Sequence, residues 1–196
     1  EKNTVILNLE KAEAKQKNTL SKYAEAVSRH KVLQDMKNDF DGYYKSVKSV
    51  LKEGAKGTLK GIEGAVGELI NTEAKYETAI ETALGSAVQN IITSDEYSAK
   101  AAIEYLKRGS LGRATFMPVN VINGREIENK SAILNYIGVC GIGSDLVSFN
   151  SRYSKIVLSL LGRVIITENM DCAIKVSSFT GRKYRIVTLD GDVINP

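Results

Sequence analysis

Ser151–Thr167, SRYSKIVLSLLGRVIIT, reads as an amphipathic helix, a glycine at the helix end and then a short β-branched strand. The phrase occurs once before, as Lys75–Thr93, KYETAIETALGSAVQNIIT. In each copy a tyrosine, Tyr76 or Tyr153, stands nine positions before the glycine of a Leu-Gly pair, Gly85 or Gly162, and Ile-Ile-Thr follows. Each then continues with a helix-like run, a Gly-Arg pair (Gly112-Arg113, Gly181-Arg182), an apolar strand and Val-Ile-Asn (Val121–Asn123, Val193–Asn195). One such coincidence carries little weight. Four in the same order predict two similar α/β halves packed as one body, about residues 57–123 and 138–196. The chain before Gly57 reads as a different kind of object attached to that body.

At 196 residues and 43% hydrophobic, the chain can build one medium core plus an appendage. It lacks an initial Met and stops on Asn195-Pro196 directly after a strand, so a piece of a longer protein is expected. No run approaches the roughly 20 apolar residues of a membrane span, and no signal peptide is visible. Two cysteines, Cys140 and Cys172, lie far apart without metal-ligand spacing, which suits reduced thiols in a cytosolic protein. The net charge of +4 is uneven: residues 1–60 carry 13 Lys and Arg against 8 Asp and Glu, the remainder 14 against 15. An anionic partner is therefore expected at the N-terminal arm and its junction with the body.

From Val5 to Asn38 there is neither Gly nor Pro, and Lys, Glu, Ala, Gln and Leu dominate, which predicts one long helix. Leu20, Tyr23 or Ala24, Val27, Leu33, Met36 and Phe40 trace a narrow seam with an irregularity near His30, so residues 1–38 are expected to form a coiled-coil arm with a helix that this chain does not supply. Phe40-Asp41-Gly42 interrupts it. A second helix, Tyr43 to Glu53, follows, with Tyr44, Val47 and Leu51 on one face and Lys45, Lys48 and Lys52 at i, i+3 and i+7 on the next. Gly61 to Ile70 alternates small and apolar residues and predicts a buried strand. In the two halves, helices are expected over Glu73–Leu84 and Asp95–Arg108 and strands over Val88–Thr93, Arg113–Met117 and Tyr184–Leu189.

Catalytic chemistry is mostly absent. The glycines of Gly61–Gly67 lack both the GxGxxG order and a Gly-Lys-Ser/Thr, so they predict close backbone packing, not a phosphate loop. The only histidine, His30, lies on the arm helix, so Cys140 has no base to activate it. Asp190 and Asp192 flank a turn glycine, where Asp serves local backbone bonding, and Asp145 stands without a partner in sequence. No enzyme activity, cofactor or metal is expected of this chain.

Several stretches resemble the hinge domain of SMC (structural maintenance of chromosomes) proteins. They are Asp39-Phe40-Asp41-Gly42-Tyr43-Tyr44, Gly61–Leu69, Tyr76–Gly85, Gly112-Arg113-Ala114-Thr115-Phe116-Met117-Pro118 and, most specifically, Arg185–Pro196, RIVTLDGDVINP. The resemblance covers about residues 39–196 and is greatest to a bacterial, condensin-type member. It implies a mixed α/β hinge of two pseudo-symmetric subdomains after a coiled-coil helix, homodimerisation through the hinge, and a role in chromosome condensation and segregation. In the full-length protein it further implies ATPase heads outside this chain, a returning coiled-coil arm, kleisin-type subunits at the heads, and a cytoplasmic, nucleoid-associated location. A zinc junction of the hook type needs a Cys-x-x-Cys that is absent here.

Two surfaces follow. Two similar halves can pair head to tail across a two-fold axis, so the dimer edge is expected at Gly138, Gly141 and Gly143 and at Val187, Leu189, Val193 and Ile194, unless both stretches are ordinary core. Sequence-independent DNA binding is expected at Lys45, Lys48 and Lys52, with Lys56 and Lys60 continuing the stripe and Arg113, Arg182, Lys183 and Arg185 extending it. A solvated helix face is the plainer reading of such lysines. The other function classes are a stand-alone nucleic-acid-binding module without a dimerisation role and a small-molecule enzyme. With only Tyr43 and Tyr44 beside the stripe, no strong preference for single strands is expected.

Overall fold

A computed structural model of the chain describes residues 2–40 and 42–196. It forms two compact units, one ending at Gly42 and the other spanning Tyr43–Pro196. The first is a single helix, α1 (Lys2–Asn38), as a run of strong helix formers without Gly or Pro dictates. Leu20, Tyr23, Val27, Leu33 and Met36 of its seam are all exposed. Phe40 and Gly42 take left-handed conformations, φ 55° and 94°, which end the helix. Asp41, part of the junction motif, lies outside the described residues.

The second unit runs α2 (Lys45–Ala55), β1 (Ile62–Ala65), a single-turn α3 (Val66–Leu69), β2 (Ile70–Thr72), α4 (Glu77–Leu84), β3 (Ile91–Thr93), α5 (Glu96–Arg108) and β4 (Phe116–Pro118). It then repeats that order, with a 3₁₀ turn (Gly143–Asp145) in the place of α3, as α6 (Lys130–Leu134), β5 (Val139–Ile142), β6 (Val147–Phe149), α7 (Ser154–Leu161), β7 (Val164–Thr167), α8 (Met170–Phe179) and β8 (Arg185–Thr188), and adds β9 (Val193–Ile194). The sheets are ordered β1-β3-β4 and β5-β7-β8-β9. In each, the first pair is antiparallel and the second parallel.

The likeness extends to local chemistry. Both first strands carry a register shift, at Glu63 between Ile62 and Gly64 and at Cys140 between Val139 and Gly141. Asp95 and Asn169 each cap the helix after the central strand, accepting from Ser98 N at 2.7 Å and Cys172 N at 3.0 Å. The buried hydroxyls of Thr93 and Thr167 each donate to the carbonyl of that capping residue.

Two expectations are corrected. Gly61 to Ile70 is not one strand but β1, α3 and β2. Val66 N donates to Asn90 O at 2.9 Å, the Glu68 carboxylate accepts from Ala65 N at 3.0 Å, and the backbone closes a turn there. Gly67 makes this possible, since a Cβ at that position would lie 2.7 Å from Val88 Cγ1. The strand expected from Val88 begins only at Ile91, because Gly85 ends α4 at φ 50° and a 3₁₀ turn takes Gly85–Gln89.

One core serves both halves. Ala79, Ile80, Ala83, Ile92 and Met117 of the first pack with Ile156, Val157, Leu161, Val164, Ile166 and Val187 of the second. Above it β2 and β6 pair antiparallel, Ile70 opposite Phe149 and Thr72 opposite Val147. Glu63 reaches across from β1: it takes the Tyr153 hydroxyl at 3.1 Å and pairs with Arg152 at 2.9 Å. A second cluster, Ile127, Ile133, Ile142, Ile165, Val176 and Ile186, lies on the other face of the larger sheet.

Ile166 sits in the middle strand of that sheet and is fully buried in the shared core. Ile166→Ala is expected to cost about 3 kcal/mol, transfer and cavity terms together, read as a lower urea midpoint at unchanged slope. A loss below about 1 kcal/mol would mean that the two halves do not share this core.

Candidate functional site

The junction is built on α2. Ser46, Val47, Val50 and Leu51 are buried, which fixes the helix's inner face. The Ser46 hydroxyl donates to the Arg113 carbonyl at 2.6 Å, so Arg113, distant in sequence, is brought beside the first turn. The two tyrosines before the helix go opposite ways. Tyr43 turns inward near Gly67 and Glu68, and burial first, then the Glu68 charge, push its hydroxyl up to about 12. Tyr44, expected on the apolar face, is instead 64% exposed, while its backbone N donates to Gln89 Oε1 at 2.8 Å.

Along the outer side of α2, Lys45 is exposed and Lys48 and Lys52 are half-buried. Lys56 pairs with Glu53 at 2.8 Å, and that contact lowers the carboxyl and raises the ammonium from their ordinary values. Lys60 is exposed beyond Gly57. Lys56 also feels Tyr105 of α5, whose last turn carries the exposed Lys107 and Arg108. These two were missed in the sequence because basic residues at a helix C-terminus are ordinarily accounted for by the helix dipole.

The remaining basic residues belong to the second half. Arg182 and Lys183 are exposed on the turn between α8 and β8. Arg185 has a different task from the one expected: its guanidinium donates to the carbonyls of Ala83 and Thr82 at 3.2 and 3.3 Å, satisfying the end of α4. These contacts hold its guanidinium against the first half.

The glycines expected at a dimer edge are occupied by the chain's own atoms. A Cβ at Gly138 would overlap Cys172 Sγ, one at Gly141 would meet Leu146 at 2.9 Å, and one at Gly143 would meet Leu161 at 3.3 Å. Their missing side chains serve internal packing. Val187 is fully buried, Leu189 and Val193 pack partly on the shared core, and Ile194 packs partly on the second cluster. β9 is nevertheless the last strand of its sheet, and β4 the last strand of the other.

Several clefts lie on the body, four of them among the described residues. One of about 510 Å³ lies between Glu128–Ile133 and Tyr184, and another of the same size lies over Ile70 and Ile80 with Glu77 and Glu81 at its rim. A third, about 450 Å³, has Glu73 and Asp145 in its wall. The fourth, about 330 Å³, opens at the foot of α2 between Tyr44, Gln89, Asn90 and Arg113. Among the described residues no three His, Cys, Asp or Glu gather in a way that could hold a metal, and no helix is long and apolar enough to cross a membrane. Burial raises the Cys140 thiol, with Lys75 acting in the opposite sense, so it stays protonated and poorly nucleophilic at neutral pH.

The Tyr43 shift carries a pH signature. Its ordinary value is 10.0 and its folded value about 12. Between these the unfolded chain loses the proton and the folded one keeps it, so stability is expected to fall as pH rises from about 10 towards 12. Tyr43→Phe is expected to flatten that part of the urea-midpoint profile; an unchanged slope would show that Tyr43 is not the group responsible.

Residues 59–177 match the SMC proteins flexible hinge domain. The chromosome partition protein Smc of Bacillus subtilis is 48% identical over 174 residues, 88% of this chain and 14% of the relative. Smc of Halothermothrix orenii is 42% identical, again over 14% of its length, so the chain spans about one seventh of the curated relatives it matches. The crystal structure of an asymmetric dimer of the Geobacillus stearothermophilus SMC hinge domain superposes with TM-score 0.84 at 41% identity, covering 88% of this chain and 69% of that one. The duplicated α/β order, the shared core and the matched residues have one common explanation: the chain belongs to the SMC hinge domain family.

Proposed function

We propose that this chain is the hinge dimerisation module of a chromosome-organising SMC ATPase, acting in chromosome condensation and segregation. Residues 1–38 form its coiled-coil arm and residues 39–196 its hinge, with subdomains of about 57–123 and 138–196. The observation that carries this reading is the pair of unfilled sheet edges. The second sheet has β9 after β8, whereas the matching Val121–Asn123 is not a strand, so among the described residues β4 ends the first sheet. A free edge in one half and a projecting end strand in the other suit two-fold pairing, first half to second half. The dimer of the Geobacillus stearothermophilus hinge supports the same reading. The interface then centres on Leu189, Val193, Ile194 and β4, with Gly138, Gly141, Gly143 and Val187 shaping it from within. The full-length protein adds ATPase heads, a returning arm and kleisin-type subunits, and works in the cytoplasm on the nucleoid.

Sedimentation equilibrium tests this. The expected mass is twice the chain's 21.4 kDa, and Phe116→Lys with Val193→Lys, placing charge on both edges, should return the monomer. A dimer that survives the double variant would overturn the placement.

A second role has its own support. Lys45, Lys48 and Lys52 line the outer side of α2, with Lys56 and Lys60 continuing past it and Arg113 held beside its first turn. Lys107 and Arg108 add to the same end. Such a surface binds phosphates without reading sequence, and duplex affinity falls by roughly 0.9 log units per log unit of salt for each phosphate contacted. Lys45→Glu, Lys48→Glu and Lys52→Glu together should abolish duplex binding at low salt with fold and dimer mass intact. Unchanged affinity would leave these lysines as a solvated helix face.

A further inference from the structure

The two halves are covered unequally on one side of their sheets. In the first, the eleven residues of α2 lie against β1 and α5, with Val47, Val50 and Leu51 buried. In the second, α6 stands before β5 with five residues, of which Ile133 is buried. Backbone bonds fix the correspondence between the halves. Gly61 O accepts from Ser94 N and Gly138 O from Glu168 N, each at 2.9 Å, and Asp95 and Asn169 are the matched caps. Lys60 therefore corresponds to Ile137, Lys100 to Ile174 and Tyr105 to Phe179. The parallel register pairs Ile92 with Met117 and Ile166 with Val187, so Arg113 corresponds to Lys183 and Ala114 to Tyr184.

These exchanges leave an apolar corner on the second half. Ile137 is 88% and Ile174 53% exposed, at the two positions where the first half has exposed lysines. Phe179 is also exposed, its ring 5.1 Å from that of Tyr136, while Gly138 packs on Cys172. Residues 134–138 thus run along α8 from its last turn to its first, which sets Ile137, Ile174 and Phe179 on one surface with the exposed Leu134. The fold does not require apolar side chains there, since the same elements carry lysines in the first half. A contiguous bare stripe of this kind marks an interaction site. Beside it opens the 510 Å³ cleft lined by Ile133, Phe179, Lys183 and Tyr184. That is the place where the first half has the opening turn of α2, tied by Ser46 to the Arg113 carbonyl.

We propose that this corner is a docking site for an amphipathic helix of a partner protein, lying over α6 and α8 as α2 lies over β1 and α5. The first half shows what fits: apolar side chains at i, i+3 and i+4, the spacing of Val47, Val50 and Leu51, turned towards Ile137, Ile174 and Phe179. Charge sets the direction. At the cleft end the exposed Arg182 and Lys183 outnumber Glu128, and Lys130 is taken by Asp145 at 2.9 Å. At the Gly138 end the exposed carboxylates are Glu168 and Asp171. The partner helix therefore presents carboxylates in its first turns to the cleft and cations in its last turn to α8's start, the order that its own dipole favours. This surface is separate from the sheet edges β4 and β9 and from the lysine side of α2, and it adds a protein partner to the hinge module.

Fluorescence anisotropy of a labelled peptide titrated with the whole chain tests this. The peptide has the Lys45–Ala55 sequence with Lys45→Glu and Lys48→Glu, and a hydrocarbon staple on its outer face, since eleven residues hold little helix alone. Saturable binding is expected, and it should be lost when the peptide also carries Val47→Ser, Val50→Ser and Leu51→Ser. In the chain, Ile137→Lys with Ile174→Lys installs the first half's residues. That variant should weaken binding about tenfold or more, with the urea midpoint and the sedimentation mass of the parent. Lys183→Glu, which leaves the apolar stripe intact, should weaken the same peptide as well. Absence of saturable binding to the parent overturns the proposal, and so does equal binding by the serine peptide or by the double lysine variant. A lower mass for that variant assigns the corner to a second copy of the chain, and displacement of the peptide by duplex DNA assigns it to nucleic acid through Arg182 and Lys183. Either result overturns the helix reading.

Discussion

The pairing of Ile70–Thr72 with Val147–Phe149 is the constraint on which the body depends. Three residues a side make too short a ribbon to stand alone in water, so it persists because of what lies under it. Ile70, Ile80 and Ala83 from one half and Ile156, Val157 and Leu161 from the other are all within one core. Neither half could be removed without opening that core to solvent. Ala79 and Ala83 let α4 and α7 approach closely, and Arg185 closes the end of α4 from the far half. The two halves therefore share one apolar core.

Against the repeated order of elements, the places where the halves differ carry the functional interest. Glu63 and Cys140 occupy the same irregular position in β1 and β5. Glu63 holds Tyr153 and Arg152, with burial and then the carboxylate raising the Tyr153 hydroxyl above its ordinary value, whereas Cys140 packs partly against the apolar core. β9 has no counterpart in the first sheet. Ala114 stands where the register puts Tyr184. Two of these three differences fall at a sheet edge or a cleft, where a second molecule can act. The third fixes one half against the other.

How much was legible from residues alone follows from the range of the interactions involved. The amphipathic spacing of Ile156, Val157 and Leu161, the capping Asp95, and the Ile-Ile-Thr strands are local or repetitive signals, and the repeated phrase around Leu-Gly disclosed the doubled α/β body. Composition alone marked the arm as helical, and the spacing of Lys45, Lys48 and Lys52 placed them along one side of α2. The Arg185–Pro196 motif pointed to the hinge family. These features survive because backbone hydrogen bonding and hydrophobic periodicity are written within a few residues of one another.

Only the tertiary structure decided what depends on distant neighbours. Gly61 to Ile70 carries a strand's alternation, yet it breaks into β1, a helical turn and β2 because Asn90 and Val88 meet it from the other side of the half. That Cys172, Leu146 and Leu161 pack against Gly138, Gly141 and Gly143 is likewise visible only once the chain is folded. Arg185 reads as part of a basic patch, and the structure adds that its guanidinium donates to the carbonyls of Thr82 and Ala83, about a hundred residues earlier. Tyr44 looks like core until the chain turns Tyr43 inward in its place. Side-chain type and spacing set which groups a chain can offer, but burial and hydrogen-bond satisfaction are settled between segments remote in sequence, and those choices determine which groups remain for a partner.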